Sequence, residues 1–193
     1  ITGEGIFDGN GHLWRLVKRS KMTDGQWNAL LKRGGVTKGE GSKLVWFPSQ
    51  SSYDGHMNKD IKPDEENALE RAKPYFDYYR PVMVSLVKCK KILLEGVTFQ
   101  NSPAWNVHPL FCEHLTLRNA FIRNPWNAQN GDGLDLESCK YVDVINTSFD
   151  VGDDAICMKA GKNAKAREIE IPTEYVTIKN CTVYHGHGGF VAG

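Results

Sequence analysis

The residues Ile92-Leu93-Leu94-Glu95-Gly96-Val97-Thr98-Phe99 introduce a pattern that returns three more times along the chain. Each copy begins apolar-x-apolar, has Gly or Asn at its fifth position and ends on an apolar residue. The other copies span residues 115–122, 142–149 and 176–183. Gly and Asn tolerate a left-handed backbone better than other residues, so the fifth position predicts a sharp bend between two short strands.

A further short strand is predicted after each repeat, at residues 105–107, 134–136, 156–158 and 190–192. The repeats begin at residues 92, 115, 142 and 176, so their starts are 23, 27 and 34 residues apart. Coils of this length, each with two or three short strands, are typical of a parallel solenoid in which each coil pairs with its neighbours. A leucine-rich repeat has a similar period, but its L-x-x-L-x-L signature is absent. The sequence therefore predicts an all-β fold, a parallel β-helix.

The stretch from residue 14 to residue 81 interrupts this pattern and predicts a partly helical insertion near the N-terminus. Thr23-x-x-Gln26 is a capping box, and the run 27–33 after it ends at Gly34-Gly35, so a short helix is expected there. A second helix is expected within 63–73. We interpret 14–81 as an insertion on one coil of a single catalytic domain spanning 1–193, with the regular coils in 82–193. Both chain ends read as strands inside a domain, so we expect a truncated β-helix whose export signal lies upstream.

The composition sets limits on the function. The chain has 193 residues, 40% hydrophobic and 24% charged, with a formal net charge of +1. Such a balance favours one soluble domain, and it gives no reason to expect nucleic acid or a membrane as a partner. No apolar run approaches the length of about 18 residues that a membrane-spanning helix needs.

Five cysteines are present, and three of them recur in step with the repeats. Cys89, Cys112 and Cys139 each precede a repeat by three residues, which predicts stacked interior positions. A free buried cysteine behaves as a small hydrophobic residue. A metal site is the alternative, but no C-x-x-C pair occurs, so we favour the buried stack and expect no metal site.

Three successive coils carry a similar polar turn just before their second strand. The turns are Gly131-Asp132-Gly133, Gly152-Asp153-Asp154 and Gly186-His187-Gly188. Equivalent positions of a parallel solenoid lie about 4.8 Å apart, so Asp132, Asp153, Asp154 and His187 are expected to cluster. Neighbouring carboxylates repel one another's charge, and one of them then tends to keep its proton, as an acid and base for glycosidic cleavage require. Ordinary solvated turns and a calcium site are the alternatives, and His187 counts against calcium.

These turns also carry a resemblance to a known family. Asn130-Gly131-Asp132-Gly133-Leu134-Asp135, Gly152-Asp153-Asp154 and Gly186-His187-Gly188 resemble the motif series of family 28 glycoside hydrolases, the polygalacturonases and rhamnogalacturonases. Ile1-Thr2-Gly3-x-Gly5 and Asn101-Ser102-Pro103-Ala104-Trp105 are similar to its early coil and its substrate-facing turn. The long 14–81 stretch is more similar to bacterial members that act on pectin oligosaccharides.

The resemblance implies a right-handed β-helix that hydrolyses α-glycosidic bonds to galacturonic acid in pectin, with inversion and without a cofactor. Asp153 is then the general acid, Asp132 and Asp154 position and activate water, and His187 tunes the acid by a hydrogen bond. Gly131 stands where the family commonly has threonine. The family's Arg-x-Lys motif, which grips the galacturonate carboxylate, is expected in a coil after Gly193. The partner is then a pectic poly- or oligosaccharide, and the protein an extracellular or periplasmic monomer.

Five further residues are expected to contact the substrate. Asn130 and Gly188 belong to the motifs, Trp105 could stack on a sugar ring or pack in the core, and His108 lies on the same strand. Lys159 could meet a uronate carboxylate or remain a solvated surface residue. The alternative functions are a β-helix pectate lyase, which would need calcium and an arginine base, and a non-catalytic glycan-binding solenoid.

Overall fold

The computed structural model describes residues 1–58, 66–161 and 163–193. It divides into two compact units, one formed by Ile1–Gly11 with Val82–Gly193 and the other by His12–Pro81. The interpretation of 14–81 as an insertion on one coil is kept as a proposal. No helix within the described ranges is long and apolar enough to cross a bilayer.

The helices and strands follow one another with short connections. In chain order they are β1 (Ile6–Asp8), β2 (Val17–Lys18), α1 (Asp24–Leu31), β3 (Val36–Lys38), β4 (Val45–Phe47), α2 (Gln50–Met57), α3 (Ala68–Ala72), β5 (Val84–Val87), β6 (Lys90–Glu95), β7 (Thr98–Gln100), β8 (Val107–Leu110), β9 (Glu113–Arg118), β10 (Phe121–Arg123), β11 (Leu134–Glu137), β12 (Lys140–Ile145), β13 (Ser148–Asp150), β14 (Ile156–Lys159), α4 (Asn163–Ile169), β15 (Glu174–Lys179), β16 (Thr182–His185) and β17 (Val191–Ala192). Short 3-10 turns lie at Gly11–Leu13, Arg19–Lys21, Gly41–Lys43 and Lys73–Tyr78.

Three parallel sheets build the first unit. Sheet A has the order β1-β7-β10-β13-β16, sheet B the order β5-β8-β11-β14-β17, and sheet C the order β6-β9-β12-β15. In sheet C, Leu115 pairs with both Ile92 and Val142, and Val142 pairs with Val176. The first residues of the four repeats therefore lie in one row, and the prediction of a right-handed parallel β-helix is confirmed.

The bends between sheets C and A fall at the predicted fifth positions. Gly96, Asn119, Asn146 and Asn180 all have positive φ, at 75°, 52°, 48° and 53°. A second row of left-handed residues, which the sequence did not reveal, lies at the start of the sheet C strands. Its members are Lys91, His114, Tyr141 and Tyr175.

The core of the first unit is a column of apolar side chains between the sheets. Phe99, Phe149, Leu117, Leu134 and Leu136 are fully buried in it. Cys112 and Cys139 are buried in the same column and Cys89 packs against it, as the predicted cysteine stack requires. Their thiols donate to backbone carbonyl groups, for example from Cys139 to Pro109.

The second unit contains the antiparallel sheet β2-β4-β3 and three short helices. Helix α1 begins with the predicted capping box of Thr23 and Gln26, and its Trp27 and Leu30 pack with Val17 and Trp46. Of the second predicted helix, residues 63–65 lie outside the described residues, and the helix is formed at Ala68–Ala72. Helix α2 was not predicted, because Gln50–Met57 has no apolar period and begins on the Ser49 cap.

Candidate active site

The candidate site lies on the outer face of sheet B and in the turns that precede its strands. Side chains alternate across a strand, so the buried Leu134 and Leu136 of β11 point inward, and Asp135 and Glu137 point outward. Asp132 lies in the turn before β11, and Asp153 and Asp154 lie in the turn before β14. This arrangement places acidic residues from two coils on one surface.

The structure brings the three predicted aspartates together. One carboxylate oxygen from each of Asp132, Asp153 and Asp154 lies within 4.8 Å of the others. A water molecule about 2.8 Å from two oxygens can bridge them at this separation. The three turns thus form one cluster, as their spacing in the sequence predicted.

The register within the cluster differs from the expected one by one residue. The pairing of Leu134 with Ile156 continues through hydrogen bonds from Gly133 N to Asp154 O and from Leu134 N to Ala155 O. Asp132 therefore lies level with Asp154, whereas aligning the turns on their first glycines had placed it level with Asp153. The longer loop between β10 and β11 absorbs the difference.

Asp153 is held by the coils on both sides of it. Its Oδ2 accepts a hydrogen bond of 3.1 Å from the backbone N–H of Asn130, and its Oδ1 lies 3.0 Å from Nδ1 of His187. The backbone N–H of His187 also donates to Asp153 O at 2.9 Å. Asp153 remains one-quarter exposed, so a substrate oxygen can approach it.

Asp132 is more deeply buried than Asp153. The pKa of Asp132 is raised to about 6, mainly by burial and also by the charges of Asp153 and Asp154, while the charge of Lys159 lowers it. Its Oδ1 finds no hydrogen-bond partner among the described residues. An oxygen buried without a partner is costly, so this atom is suited to hold a water molecule.

Asp154 contacts two residues of later strands and turns. The Cys157 thiol donates to Asp154 Oδ2 at 3.4 Å, and burial raises the pKa of this thiol to about 12, so it stays protonated. A Cβ atom at Gly188 would lie 3.1 Å from Asp154 Oδ1 and 2.4 Å from Val191 Cγ2. Gly188 therefore leaves room beside the carboxylate, which fits its place in the motif.

Two residues of the site form a pair that the sequence did not predict. Asp135 is fully buried although it points outward, and the Lys159 ammonium group donates a hydrogen bond to its Oδ1. The pKa of Asp135 is raised to about 7, mainly by burial and also by the charge of Asp132, while Lys159 opposes both. Lys159 was expected to meet a uronate carboxylate or solvent, and in the structure its ammonium group lies on Asp135.

The two expected cleft residues of the preceding coil lie beside this pair. The ring of Trp105 is half-buried outside the core column, and the Lys159 Nζ lies 3.9 Å from its centroid. His108 meets the Trp105 ring edge-on at 4.9 Å, and its Nε2 lies 2.8 Å from Oε2 of Glu137. Trp105, His108 and Lys159 therefore share the surface that carries the aspartates.

The substitution of Gly131 for the family's threonine has a local cause. A Cβ atom at this position would lie 2.7 Å from Ala128 Cβ and 2.9 Å from Ala128 O. Ala128 lies so close to Gly131 that a side chain at position 131 would force the loop to shift. The flanking Asn130 and Asp132 both take part in the carboxylate cluster, through the Asn130 N–H on Asp153 and the Asp132 carboxylate.

Metal-ligand spacing occurs twice in this region. The groups are Asp132 with Asp153 and Asp154, and Asp132 with Asp135 and Cys157. Three side-chain ligands are fewer than the six to eight oxygens that Ca²⁺ takes. The second group already carries a cation, because Lys159 bonds Asp135 and lies 4.0 Å from Asp132 Oδ2.

Residues 67–191, more than half of the chain, match the family model described as "Glycosyl hydrolases family 28". The chain belongs to this family. An exo-poly-alpha-D-galacturonosidase of Dickeya chrysanthemi is 30% identical over all 193 residues, which cover 29% of that protein. A probable polygalacturonase of Vitis vinifera is 27% identical over 115 residues, which are 60% of the chain and 23% of that protein.

Solved structures of family 28 enzymes share the fold. The chain superimposes on an exopolygalacturonase from Thermotoga maritima with a TM-score of 0.68 and 30% identity, covering 100% of this chain and 40% of that one. For a family 28 exopolygalacturonase of Yersinia enterocolitica the TM-score is 0.64 at 24% identity, covering 100% of this chain and 31% of that one. The chain thus spans less than half the length of these relatives.

Proposed function

We propose that the protein containing this chain hydrolyses the α-glycosidic bonds of polygalacturonan in pectin, releasing galacturonate from the chain end. The observation that carries the proposal is the cluster of Asp132, Asp153 and Asp154, whose oxygens lie within 4.8 Å of one another. Membership of family 28 supports the reaction class, and the exo-acting relatives support the mode of cleavage. We propose polygalacturonan rather than rhamnogalacturonan as the substrate because those relatives are named for the cleavage of polygalacturonan.

The proposed mechanism is a single displacement with inversion. Asp153 gives its proton to the leaving glycosidic oxygen while a water molecule, held by Asp132 and Asp154, attacks the anomeric carbon and loses a proton to them. Asp153 is one-quarter exposed and more accessible than the buried Asp132, which suits contact with the leaving group. No cofactor or metal takes part.

The assignment of acid and base must account for the raised pKa of Asp132. The charge of Asp153 contributes to that raised pKa. When Asp153 carries the proton that the acid role requires, this repulsion is absent and the charged form of Asp132 is favoured. The proposed mechanism thus needs the proton on Asp153 and the charge on Asp132.

Substrate contact is proposed for Asn130, Gly188, Trp105, His108 and Lys159, which border the cluster. We further propose that the protein acts as a monomer outside the cytoplasm, where pectin occurs. A lyase would break the bond by elimination and leave an unsaturated sugar, and a glycan-binding solenoid would leave the polymer intact. These two outcomes serve as the alternatives in the tests below.

The first test replaces Asp153 in the natural protein at its full length. Asp153→Asn is expected to lower the release of reducing ends from polygalacturonate by about 10²–10⁴-fold, the usual contribution of a general acid. Asp143→Asn, on the exposed face of β12, is the matched control and should leave the rate unchanged. Full activity of Asp153→Asn would remove Asp153 from the acid role.

A second substrate separates the acid from the base. An aryl α-galacturonide with a good leaving group needs little protonation, so Asp153→Asn should lose far less activity on it than on polygalacturonate. Asp132→Asn should lose activity equally on both, because water activation is needed in either case. The reverse pattern would show that the two roles are exchanged.

A further inference from the structure

We propose that Lys159 is a positioning residue, held by Asp135 and Trp105 with its ammonium group beside Asp132, where it keeps that carboxylate charged to accept a proton from water. This inference rests on the proposed function, because it assigns the base role to Asp132. It gives Lys159 a role toward Asp132 in addition to the proposed contact with substrate, and it includes Asp135 in the site.

The first observation is that the Lys159 side chain is fixed on three sides. Its ammonium group donates to Oδ1 of the fully buried Asp135, lies 4.0 Å from Oδ2 of Asp132, and lies 3.9 Å from the centroid of the Trp105 ring. A cation over an indole face is stabilised by the ring quadrupole. One-quarter of the Lys159 side chain is exposed, so the group lies under the surface of the site rather than in solvent.

The second observation is that the Trp105 ring is itself supported. Ser102 is buried, its Oγ donates to Trp105 O at 2.8 Å, and its N–H donates to Oδ1 of Asn124 in the following coil at 2.8 Å. The Trp105 ring also meets His108 edge-on, and His108 is bonded to Glu137. The backbone of Trp105 and its ring thus each have a contact that limits their movement beside Lys159.

The charges of the cluster explain why such a cation is needed. Asp132, Asp135, Asp153 and Asp154 are four carboxyl groups in one small region, and burial disfavours the charged form of the first two. Burial also lowers the pKa of Lys159, but its bond to Asp135 and the surrounding charges outweigh this and raise it, so the lysine stays charged. The other titratable groups of the region are Cys157 beside Asp132, His187 beside Asp153, and His108, which is bonded to Glu137.

The test is a titration of the Asp132 carboxyl carbon by NMR in the 193-residue chain. Lys159→Met should raise the Asp132 midpoint by about one pH unit, whereas Asp135→Asn, which frees Lys159 to approach Asp132, should lower it. Lys159→Arg keeps the charge and should stay near the wild-type midpoint. Lys140→Met is the control, because it removes a cation paired with Glu174 on sheet C, away from the site.

Activity of the full-length protein gives a second readout. The acid limb of the pH profile of kcat/KM should move upward in Lys159→Met and downward in Asp135→Asn. A purely structural role would lower activity in both variants without moving the limb in opposite directions. If Lys159→Met alone does not fold, the double variant Lys159→Met with Asp135→Asn removes both charges and should titrate between the two single variants.

The inference is overturned if the Asp132 midpoint stays within about 0.3 unit of wild type in both Lys159→Met and Asp135→Asn. If the midpoint is unchanged and the wild type still cleaves polygalacturonate, the role of Lys159 is rejected and the proposed function stands. A wild type that releases no reducing ends would instead contradict the proposed function. The titration would then still decide whether Lys159 acts on Asp132.

Discussion

At the scale of the residue, the candidate site combines exposed and buried carboxyl groups. Asp153 remains accessible beside His187, and Asp132 lies beneath it with one oxygen unpartnered among the described residues. The burial of Asp132 has a cost for the fold, because a charge in this place is poorly solvated. The buried charge of Asp132 should therefore lower the free energy of unfolding, and this effect can be measured.

Asp132→Asn should stabilise the folded chain above neutral pH. The folded pKa of Asp132 is raised to about 6, so the folded state binds the proton more tightly than the unfolded state does. Wild-type stability from this group is therefore full below about pH 4 and is lost as pH rises through 6. We expect the variant to gain on the order of 1–2 kcal/mol at pH 8 and nothing near pH 4, after allowance for solvent screening.

Urea denaturation of both chains at pH 4 and pH 8 measures this difference. Asp143→Asn, at an exposed position of β12, should show no gain at either pH. A gain by Asp132→Asn that is equal at both pH values would mean that packing, and not the buried charge, is responsible.

The sequence revealed the members of the carboxylate cluster but not its full environment. Asp132, Asp153, Asp154 and His187 were predicted because their turns recur in successive coils. Asp135 was overlooked because Leu134-Asp135-Leu136 reads as an ordinary alternating strand with a solvated aspartate. Its burial arises from Lys159, one coil away, and such a tertiary contact leaves no local signal in the sequence.

At the scale of the element, the bends between sheets C and A depend on residues that accept positive φ. Asn146 has φ 48°, is exposed, and its side-chain amide donates to Asn119 of the neighbouring coil at 3.3 Å. A β-branched residue in this conformation brings its Cβ too close to the following carbonyl oxygen. The bend thus disfavours β-branched residues for steric reasons, and Asn and Gly suit it best.

Asn146→Val is expected to destabilise the chain by about 1–2 kcal/mol in urea denaturation, whereas Asn146→Gly should be nearly neutral. The matched control is Asp143→Val, which introduces the same side chain at an exposed, extended position of the adjacent strand. Equal losses for the two valine variants would contradict the role of the left-handed bend.

The strands were the most predictable elements, and the reason is their repetition. The sheet C strands begin two residues before the predicted repeats, and all four Gly or Asn positions are bends. Strand β5 was not predicted, because the sequence pattern of the repeats begins only at Ile92, after this strand. The row Lys91, His114, Tyr141 and Tyr175 was also missed, because left-handed residues of these types carry no Gly or Asn signature.

At the scale of the whole molecule, a solenoid is stabilised by contacts between neighbouring coils. The interior side chains of the middle coils are fully buried, as shown by Leu115, Leu117, Val142 and Val144. In the coil that contains β15 and β16, Ile178 is 38% exposed and Val183 is 37% exposed. The protection of backbone amides from hydrogen exchange should therefore vary along the axis of the β-helix.

Hydrogen exchange of the 193-residue chain should show this gradient. Amides of β12, which pairs with β9 and β15, are expected to exchange at least about tenfold more slowly than amides of β16, which pairs with β13 alone among the described strands. Uniform exchange rates across all coils would indicate that the first unit opens as one cooperative body.

The central claim is that the carboxylate cluster hydrolyses polygalacturonate, and the most direct measurement is proton NMR of the products as the natural full-length protein acts on this polymer. We predict saturated galacturonate whose reducing end appears first as the β-anomer, with monomer released from the earliest times. Unsaturated sugar signals, or a polymer that stays intact while it is bound, would contradict the account.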